Sequence, residues 1–131
     1  MPGYSGTPLP KKLGIKKKQR VMFVGLPADV GAELREALAQ CQIAKDSLDL
    51  AMVFAMEQAV LKAEFARVAK LLAPAGMLWV AWPKKASGMA TDMNENDVRR
   101  IGLAKGLVDV KVCAVTEVWS GLKFVRRMSE R

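Results

Sequence analysis

The residues best suited to chemistry lie in one short segment that follows an apolar run. The segment carries two ammonium groups, two hydroxyls, a glycine and a carboxylate. Ammonium groups and free backbone amides suit a phosphate or carboxylate ligand, and open α/β sheets bind ligands beyond the carboxyl ends of their strands. We therefore predict an anion-binding pocket here. Its candidate residues are Trp82, Lys84, Lys85, Ser87, Gly88, Thr91 and Asp92.

An ordinary solvated loop is the alternative interpretation of this segment. In that case Trp82 belongs to the core, and Thr91 or Asp92 forms a turn or a cap. Adjacent side chains of an extended chain point to opposite sides, so we expect at most one of Lys84 and Lys85 to face a pocket. Lys84 is the better candidate because it is closer to the strand end.

A second group combines an aromatic ring with polar neighbours beside a predicted turn. It consists of Trp119, Ser120 and Lys123. An aromatic ring in such a position can clamp a planar ligand, but more often it covers the end of a small core. We favour the core for Trp119 and keep the three residues as candidate ligand contacts.

Three carboxylates could meet near the strand ends and perform acid–base work or bind a metal. They belong to Asp49, Glu57 and Asp92, but nothing in their spacing holds them together. Glu57 near a helix start is explained by the helix dipole. We therefore predict no metal site.

The composition excludes several kinds of catalytic centre. Histidine is absent, which removes Ser-His-Asp and Cys-His catalysis and His-ligated zinc. The two cysteines, Cys41 and Cys113, cannot complete a zinc site. Because the N-terminus lacks the apolar region of a secretory signal, we expect free thiols, a cytoplasmic protein and no disulfide.

Apolar periodicity predicts the element order β-α-β-α-β-α-β-β. Short apolar runs typical of strands buried on both faces occupy residues 21–24, 48–55 and 77–82. Helical spacing covers residues 29–41, 57–73 and 94–105. Pro74 and Gly76 end the second of these helices, Asn94 is the predicted N-cap of the third, and a short helical turn near residues 11–13 stops at Gly14. Alternating residues near 108–114 and 122–124 predict a terminal antiparallel hairpin that turns at Ser120-Gly121. Each strand–helix–strand unit implies a right-handed parallel crossover, with helices on both faces of the sheet.

Charge divides the chain of 131 residues into two parts. Residues 1–20 hold six cations and no acid, whereas residues 21–131 hold fifteen cations and thirteen acids. We predict a basic N-terminal arm over 1–20 and a single α/β domain over 21–131. The arm suits nucleic acid or acidic partners, although a solvated, solubilising lead-in explains it as well. No apolar run approaches the roughly 20 residues that span a bilayer, so we expect no membrane contact.

Four phrases carry a resemblance that extends over nearly the whole chain. They are YSGTPL at 4–9, KKLGI at 11–15, WPKKASG at 82–88 and WSGLKFV at 119–125. In these phrases the chain resembles an uncharacterised family of small bacterial proteins, a domain of unknown function. The resemblance therefore implies no activity.

A more distant resemblance rests on the phrase LLAPAGMLWV at residues 71–80. It is similar to the helix, Pro-Gly turn and fifth strand of class I methyltransferases that use S-adenosylmethionine. This resemblance implies a reduced Rossmann-like sheet of about five strands in the order 1-4-5-7-6 in the family's labels. Strands two and three would be missing, because residues 25–48 have room for only one helix.

The methyltransferase resemblance does not extend to the cofactor site. Such enzymes need a glycine-rich turn after the first strand and an acidic residue that ends the second. Here Gly25 is in place, but Pro27 removes an amide donor, and the second strand is not predicted. We therefore expect no S-adenosylmethionine cofactor, and treat Gly25 as a candidate ligand contact.

Three hypotheses for function follow. The first is a non-catalytic binding or accessory protein with an anion-binding pocket at the strand ends. The second is an enzyme of unrecognised reaction that uses Lys84, Lys85 and Asp92. The third is a nucleic-acid or protein adaptor that acts through the basic arm.

Overall fold

Strands that are apolar on both faces form the centre of a six-stranded mixed sheet. The structure is a computed structural model that describes residues 6–131, so the first two residues of the YSGTPL phrase lie outside the described part. The strands are β1 (Arg20–Val24), β2 (Gln42–Ile43), β3 (Leu48–Phe54), β4 (Leu72–Pro83), β5 (Leu107–Ala114) and β6 (Trp119–Arg126). The helices are α1 (Leu9–Leu13), α2 (Ala28–Leu38), α3 (Gln58–Ala69) and α4 (Glu95–Ala104), with 3-10 turns at Lys85–Ser87 and Met128–Glu130.

The strand order is β2-β1-β3-β4-β6-β5. Strands β1 to β4 are parallel, and β6 lies antiparallel between β4 and β5. The predicted methyltransferase-like order is therefore confirmed for five strands. The prediction was wrong about the second strand, because β2 adds two residues at the edge beside β1.

Alternate residues of the central strands face two separate cores. In β3, Leu50 and Met52 pack with α1 and α2, whereas Ala51 and Val53 pack with α3 and α4. Trp79 of β4 is fully buried on the α1 and α2 side. The helices therefore cover both faces, as predicted. None of the described helices has the length and apolar character needed to cross a bilayer.

The fourth strand starts earlier than its sequence indicates. Residues predicted to end a helix, Pro74 and Gly76, lie within β4, which begins at Leu72. Leu48 pairs with Leu72 but Leu50 pairs with Met77, so the extra residues of β4 form a bulge. A side chain at Gly76 would overlap the Leu48 carbonyl, which explains the glycine.

The terminal hairpin is confirmed, but its turn lies before the predicted position. Thr116 closes the turn, since its Oγ1 accepts hydrogen bonds from the backbone N–H groups of Val118 (3.0 Å) and Trp119 (3.1 Å). Gly121 lies inside β6, where a Cβ would be 2.8 Å from Val115 Cγ2. Gly121 therefore permits close packing and does not form a turn.

The packed structure extends into the predicted basic arm. Leu9 and Leu13 of α1 are buried, and the Trp79 Nε1–H donates a hydrogen bond of 2.9 Å to the Leu13 carbonyl. Gly14 ends α1 in the left-handed conformation at φ 80°, as expected from its position after Leu13. Deletion of the whole arm would thus also remove two core side chains.

Helix α4 packs closely on β6, and this contact generates a stability prediction. Gly102 is buried against the Phe124 ring, and a Cβ there would overlap ring atoms. We expect Gly102→Ala to lower the free energy of unfolding by about 1–3 kcal/mol, although alanine normally stabilises a helix relative to glycine by about 1 kcal/mol. Urea unfolding measures the change.

Phe124→Leu in the Gly102→Ala background is the matched control, because a smaller side chain makes room for the added methyl group. The double variant should lose less than the sum of the two single changes. A Gly102→Ala protein more stable than the wild type would contradict the packing.

Candidate functional site

A cavity of about 520 Å³ lies beyond the carboxyl end of β4. Its walls come from the end of β4, the start of β6, the 84–93 loop and the first turn of α4. Six of the eleven residues that the sequence predicted to contact a ligand line this cavity: Trp82, Lys84, Lys85, Thr91, Asp92 and Ser120. The other lining residues are Pro83, Met89, Met93, Asn94, Glu95 and Asp97.

Two predicted contacts attach the cavity loop to the start of α3. The Thr91 hydroxyl donates a hydrogen bond of 2.6 Å to the Met56 carbonyl. Asp92 Oδ1 accepts one of 2.8 Å from the Gln58 N–H, and Gln58 Nε2 donates to the Asp92 carbonyl at 2.7 Å. Asp92 therefore caps α3, whose own N-cap residue, Glu57, makes no side-chain cap. This contact corresponds to the capping interpretation of Asp92.

Both lysines line the cavity, in contrast to the expectation that only one would. β4 ends at Pro83, one residue later than predicted, and Lys84 is the last extended residue before the turn that begins at Lys85. The Lys84 N–H donates to the Val118 carbonyl at 2.7 Å, and the Ser87 hydroxyl donates to the Lys84 carbonyl at 2.7 Å. Because the chain leaves the extended conformation here, consecutive side chains no longer point to opposite sides.

The carboxylates that line the cavity are all held by other groups of the chain. Asp92 caps α3. Glu95 pairs with Arg99 at 2.7 Å. Asp97 pairs with Arg100 at 3.0 Å and accepts a hydrogen bond from the Asn94 N–H in a capping box. Their negative charge is therefore partly compensated, and the ammonium groups of the two lysines are the groups of the cavity that suit an anionic ligand.

Gly25 lies at the same edge of the sheet but outside the lining of this cavity. Its φ is 70°, and a Cβ would be 3.0 Å from the Phe54 carbonyl oxygen. Glycine is required here by the backbone turn and by the close approach of β3. This requirement accounts for Gly25 without a ligand.

Four other predicted contacts do not line the cavity. Trp119 is buried and packs edge-on against Phe54 with ring centroids 5.2 Å apart, as the core interpretation requires. The Lys123 ammonium lies 5.9 Å from the centre of the Trp79 ring. Ser87 and Gly88 belong to the loop, where the Ser87 hydroxyl stabilises the turn and Gly88 ends it at φ 79°.

The three candidate carboxylates do not meet. Asp49 lies near the start of β3, at the edge of the sheet opposite the cavity, where its Oδ2 accepts a hydrogen bond of 2.8 Å from the Arg20 N–H. Glu57 and Asp92 are both near the start of α3. Within residues 6–131 no group of three or more Cys, Asp or Glu residues could hold a metal.

β2 stops before the carboxyl edge of the sheet, which is where the methyltransferase resemblance would place the ribose of a nucleoside. Ile43, its last residue, is level with Val21, whereas β1 continues to Val24. β2 therefore ends about 10 Å before the end of β1, at roughly 3.3 Å per residue. Asp46 is the first acidic residue after β2. Its Oδ1 lies 2.7 Å from Nη2 of Arg20, which is at the opposite end of β1. No acidic residue therefore ends β2 in the position that the methyltransferase family uses for ribose.

Similarity to known proteins is confined to the fold. No protein-family model and no curated protein sequence matches the chain, so the four phrases remain a resemblance from sequence. The fold is similar to the Burkholderia thailandensis 1,6-didemethyltoxoflavin-N1-methyltransferase, solved with 1,6-didemethyltoxoflavin and S-adenosylhomocysteine. The two chains are 13% identical, with a TM-score of 0.64 and coverage of 90% of this chain and 74% of the other.

Two further methyltransferases share the fold. The magnesium protoporphyrin IX methyltransferase from Synechocystis PCC 6803, solved with S-adenosylhomocysteine, is 14% identical with a TM-score of 0.61, covering 90% of this chain and 78% of its own. A methyltransferase from Aquifex aeolicus that depends on S-adenosylmethionine is also 14% identical with a TM-score of 0.61, covering 87% and 85%. The chain thus has a methyltransferase-like Rossmann fold.

Sequence reasoning missed the contribution of α4 to the cavity. Asn94 was predicted as a helix cap, and the structure confirms this with a hydrogen bond of 2.9 Å from the Asp97 N–H to its side chain. A helix that starts soon after a strand end must place its first turn near the same edge. That connection could have identified Glu95 and Asp97 as lining residues.

The cap formed by Asp92 generates the second prediction. We expect Asp92→Ala to lower the free energy of unfolding by about 0.5–2 kcal/mol, the usual cost of a lost N-cap. Amide hydrogen exchange should accelerate at Gln58 and in the first turn of α3. Glu33→Ala, an equal loss of charge at an exposed position of α2, is the control. Equal stability of the two variants would rule out the cap.

Proposed function

We propose that the protein binds a small anionic molecule in the cavity beyond β4, with Lys84 and Lys85 as its charged contacts. The observation that carries the proposal is the position of two adjacent lysines on the wall of a cavity whose carboxylates are already engaged. The cavity volume of about 520 Å³ falls within the range of roughly 300–1,000 Å³ typical of small-molecule sites.

The chemistry of the walls favours a phosphate or carboxylate group attached to a partly apolar body. Lys84, Lys85 and Ser120 supply two ammonium groups and a hydroxyl to the lining, and Trp82, Met89 and Met93 supply apolar surface. Charge-assisted hydrogen bonds from lysine would hold the anionic group. The apolar wall would cover the remainder of the ligand.

The carboxylates that line the cavity already pair with other groups of the chain, and this favours ligand binding over acid–base catalysis. Asp92 is the carboxylate that the sequence suggested for an enzyme, but it accepts the Gln58 N–H as a helix cap. Moving a proton at Asp92 would weaken that cap. We therefore assign no catalytic step to the residues of the cavity.

Methyl transfer is the second candidate function. It is favoured by the shared fold of enzymes solved with S-adenosylhomocysteine and by the turn at Gly25, where the backbone lies open to solvent. The residues present do not fit S-adenosylmethionine well, because β2 ends level with Val21 and Asp46 is paired with Arg20. No step of a methyl-transfer reaction is derived for this chain.

Calorimetric titration tests the anion site. Pyrophosphate should bind the wild type, and Lys85→Ala should weaken that binding about ten- to 150-fold, the range expected for a lost charge-assisted hydrogen bond of roughly 1.5–3 kcal/mol. Lys84→Ala should weaken it similarly, while Lys85→Ala should not alter the melting temperature of the free protein by more than about a degree or two, since Lys85 is exposed and exposed charges contribute little to stability.

Lys62→Ala is the matched control, because Lys62 is an exposed lysine of α3 with the same charge. It should leave pyrophosphate affinity unchanged. Failure of pyrophosphate to bind, or an equal response of all three variants, would refute the anion site. Saturable micromolar binding of S-adenosylhomocysteine that is insensitive to both cavity lysines would instead support the methyltransferase candidate.

A further inference from the structure

The indole ring of Trp82 is nearly enclosed by the protein and also forms part of the cavity wall. The residue is 5% exposed, belongs to the core on the α3 and α4 side, and lines the cavity. It pairs with Ser120 across β4 and β6 and precedes Lys84 by two residues in extended chain. Cross-strand partners and alternate residues share one side of a sheet. All three residues therefore face the cavity side.

The indole N–H of Trp82 has no acceptor within the chain. In the part of the chain that the structure describes, no group accepts a hydrogen bond from its Nε1, whereas the Trp79 Nε1–H donates to the Leu13 carbonyl at 2.9 Å. The same part of the chain contains no fully buried side-chain nitrogen or oxygen without a partner. The Trp82 N–H therefore keeps contact with solvent, and the cavity is the open space that this ring borders.

An unpartnered donor in a nearly enclosed position restricts which ligands can fill the cavity. Solvent accepts the hydrogen bond while the cavity is open. A ligand that covers Trp82 without offering an acceptor excludes that solvent and leaves the N–H unpaired, which weakens binding roughly five- to 150-fold. A site of this kind rejects analogues that lack the matching polar atom. The ligand that fits must therefore carry an acceptor as well as an anionic group.

The apolar part of the wall indicates an aromatic body for the ligand. Met89 and Met93 line the cavity together with Trp82. Thioether sulfur makes favourable contacts with aromatic rings, and aromatic pairs gain energy beyond the area that they bury. A rigid ring also holds an acceptor at a fixed distance from an anionic group. Trp82 and Lys84 are about 7 Å apart along the strand, at roughly 3.3 Å per residue.

We propose that the cavity binds an aromatic anion whose ring carries a hydrogen-bond acceptor. The Trp82 N–H donates to that acceptor, while Lys84 and Lys85 hold the anionic group. This inference rests on the proposed anion site and adds the class of its ligand. Trp82 is the residue that determines specificity, because the lysines accept a carboxylate or a phosphate equally and do not sense the ring.

A matched pair of compounds tests the role of Trp82 by calorimetric titration. Quinoline-6-carboxylate and naphthalene-2-carboxylate share shape and charge, and they differ in the ring nitrogen, which is the acceptor. In mildly alkaline buffer, where that nitrogen is unprotonated, the quinoline compound should bind the wild type about five- to 150-fold more tightly. Lys85→Ala should weaken both compounds and leave their ratio unchanged.

Trp82→Phe removes the N–H and keeps an aromatic ring in the wall, so it should abolish the preference for the quinoline compound. Trp119→Phe is the matched control, because Trp119 is similarly buried at 8% exposure but does not line the cavity. It should keep the wild-type ratio. Each ratio compares two compounds on one protein, so packing lost in a variant cancels.

A second measurement needs no variant and applies if Trp82→Phe fails to fold. In the NMR spectrum of the labelled wild type, the quinoline compound should move the Trp82 indole N–H signal downfield, as expected for a new hydrogen bond. The naphthalene compound should not produce this shift. Equal shifts from the two compounds would overturn the role of Trp82.

The remaining outcomes separate this inference from the anion site on which it rests. Equal affinity of the two compounds, both weakened by Lys85→Ala, would overturn the role of Trp82 and leave the anion site in place. So would a quinoline preference that persists in Trp82→Phe. Binding of pyrophosphate without either carboxylate would overturn the aromatic class of ligand. Failure of all three compounds to bind would refute the anion site and this inference together.

Discussion

The structure depends on the burial of β4 between a parallel neighbour and an antiparallel one. Trp79, at the middle of β4, is fully buried, and its indole N–H is satisfied by the Leu13 carbonyl. An unpaired polar group there would cost about 1–3 kcal/mol, so α1 is part of the same packing. The carboxyl end of β4 delivers Lys84 to the cavity, and its antiparallel partner β6 contributes Ser120 to the same cavity. The position of the proposed anion site is therefore a consequence of where this strand lies.

The fold resembles a methyltransferase, but the position that would hold ribose is altered. In the compared enzymes the fold is found with S-adenosylhomocysteine. In this chain β2 has two residues, and after Ala44 the chain passes back through Ser47 at φ 47° to begin β3. The segment is too short to carry an acid to the carboxyl edge. The shared fold is therefore present without an acid from β2 at that edge.

The sequence predicted the central strands, the faces of the helices and the cap at Asn94, because apolar periodicity and capping chemistry are local signals. It missed β2, whose Gln42–Ile43 are exposed and have no apolar pattern. It placed Ser120-Gly121 in a turn, because glycine marks turns as often as close packing. Six of the eleven candidate ligand contacts line the cavity. They could be predicted because the apolar runs show where the strands end, and the cavity lies beyond one of those ends. The engagement of Asp92 by α3 depends on a contact 34 residues away in the chain, which no local pattern reveals.

The central claim is that small anions bind beyond β4 and not at the turn after β1. Amide chemical-shift mapping tests it directly, with pyrophosphate and S-adenosylhomocysteine titrated in parallel into the full-length protein. The account predicts saturable shifts from pyrophosphate at Lys84, Lys85 and Ser120, with Gly25 and Leu26 unchanged. It would be contradicted by saturable shifts from S-adenosylhomocysteine at Gly25 and Leu26, together with no response to pyrophosphate at the cavity.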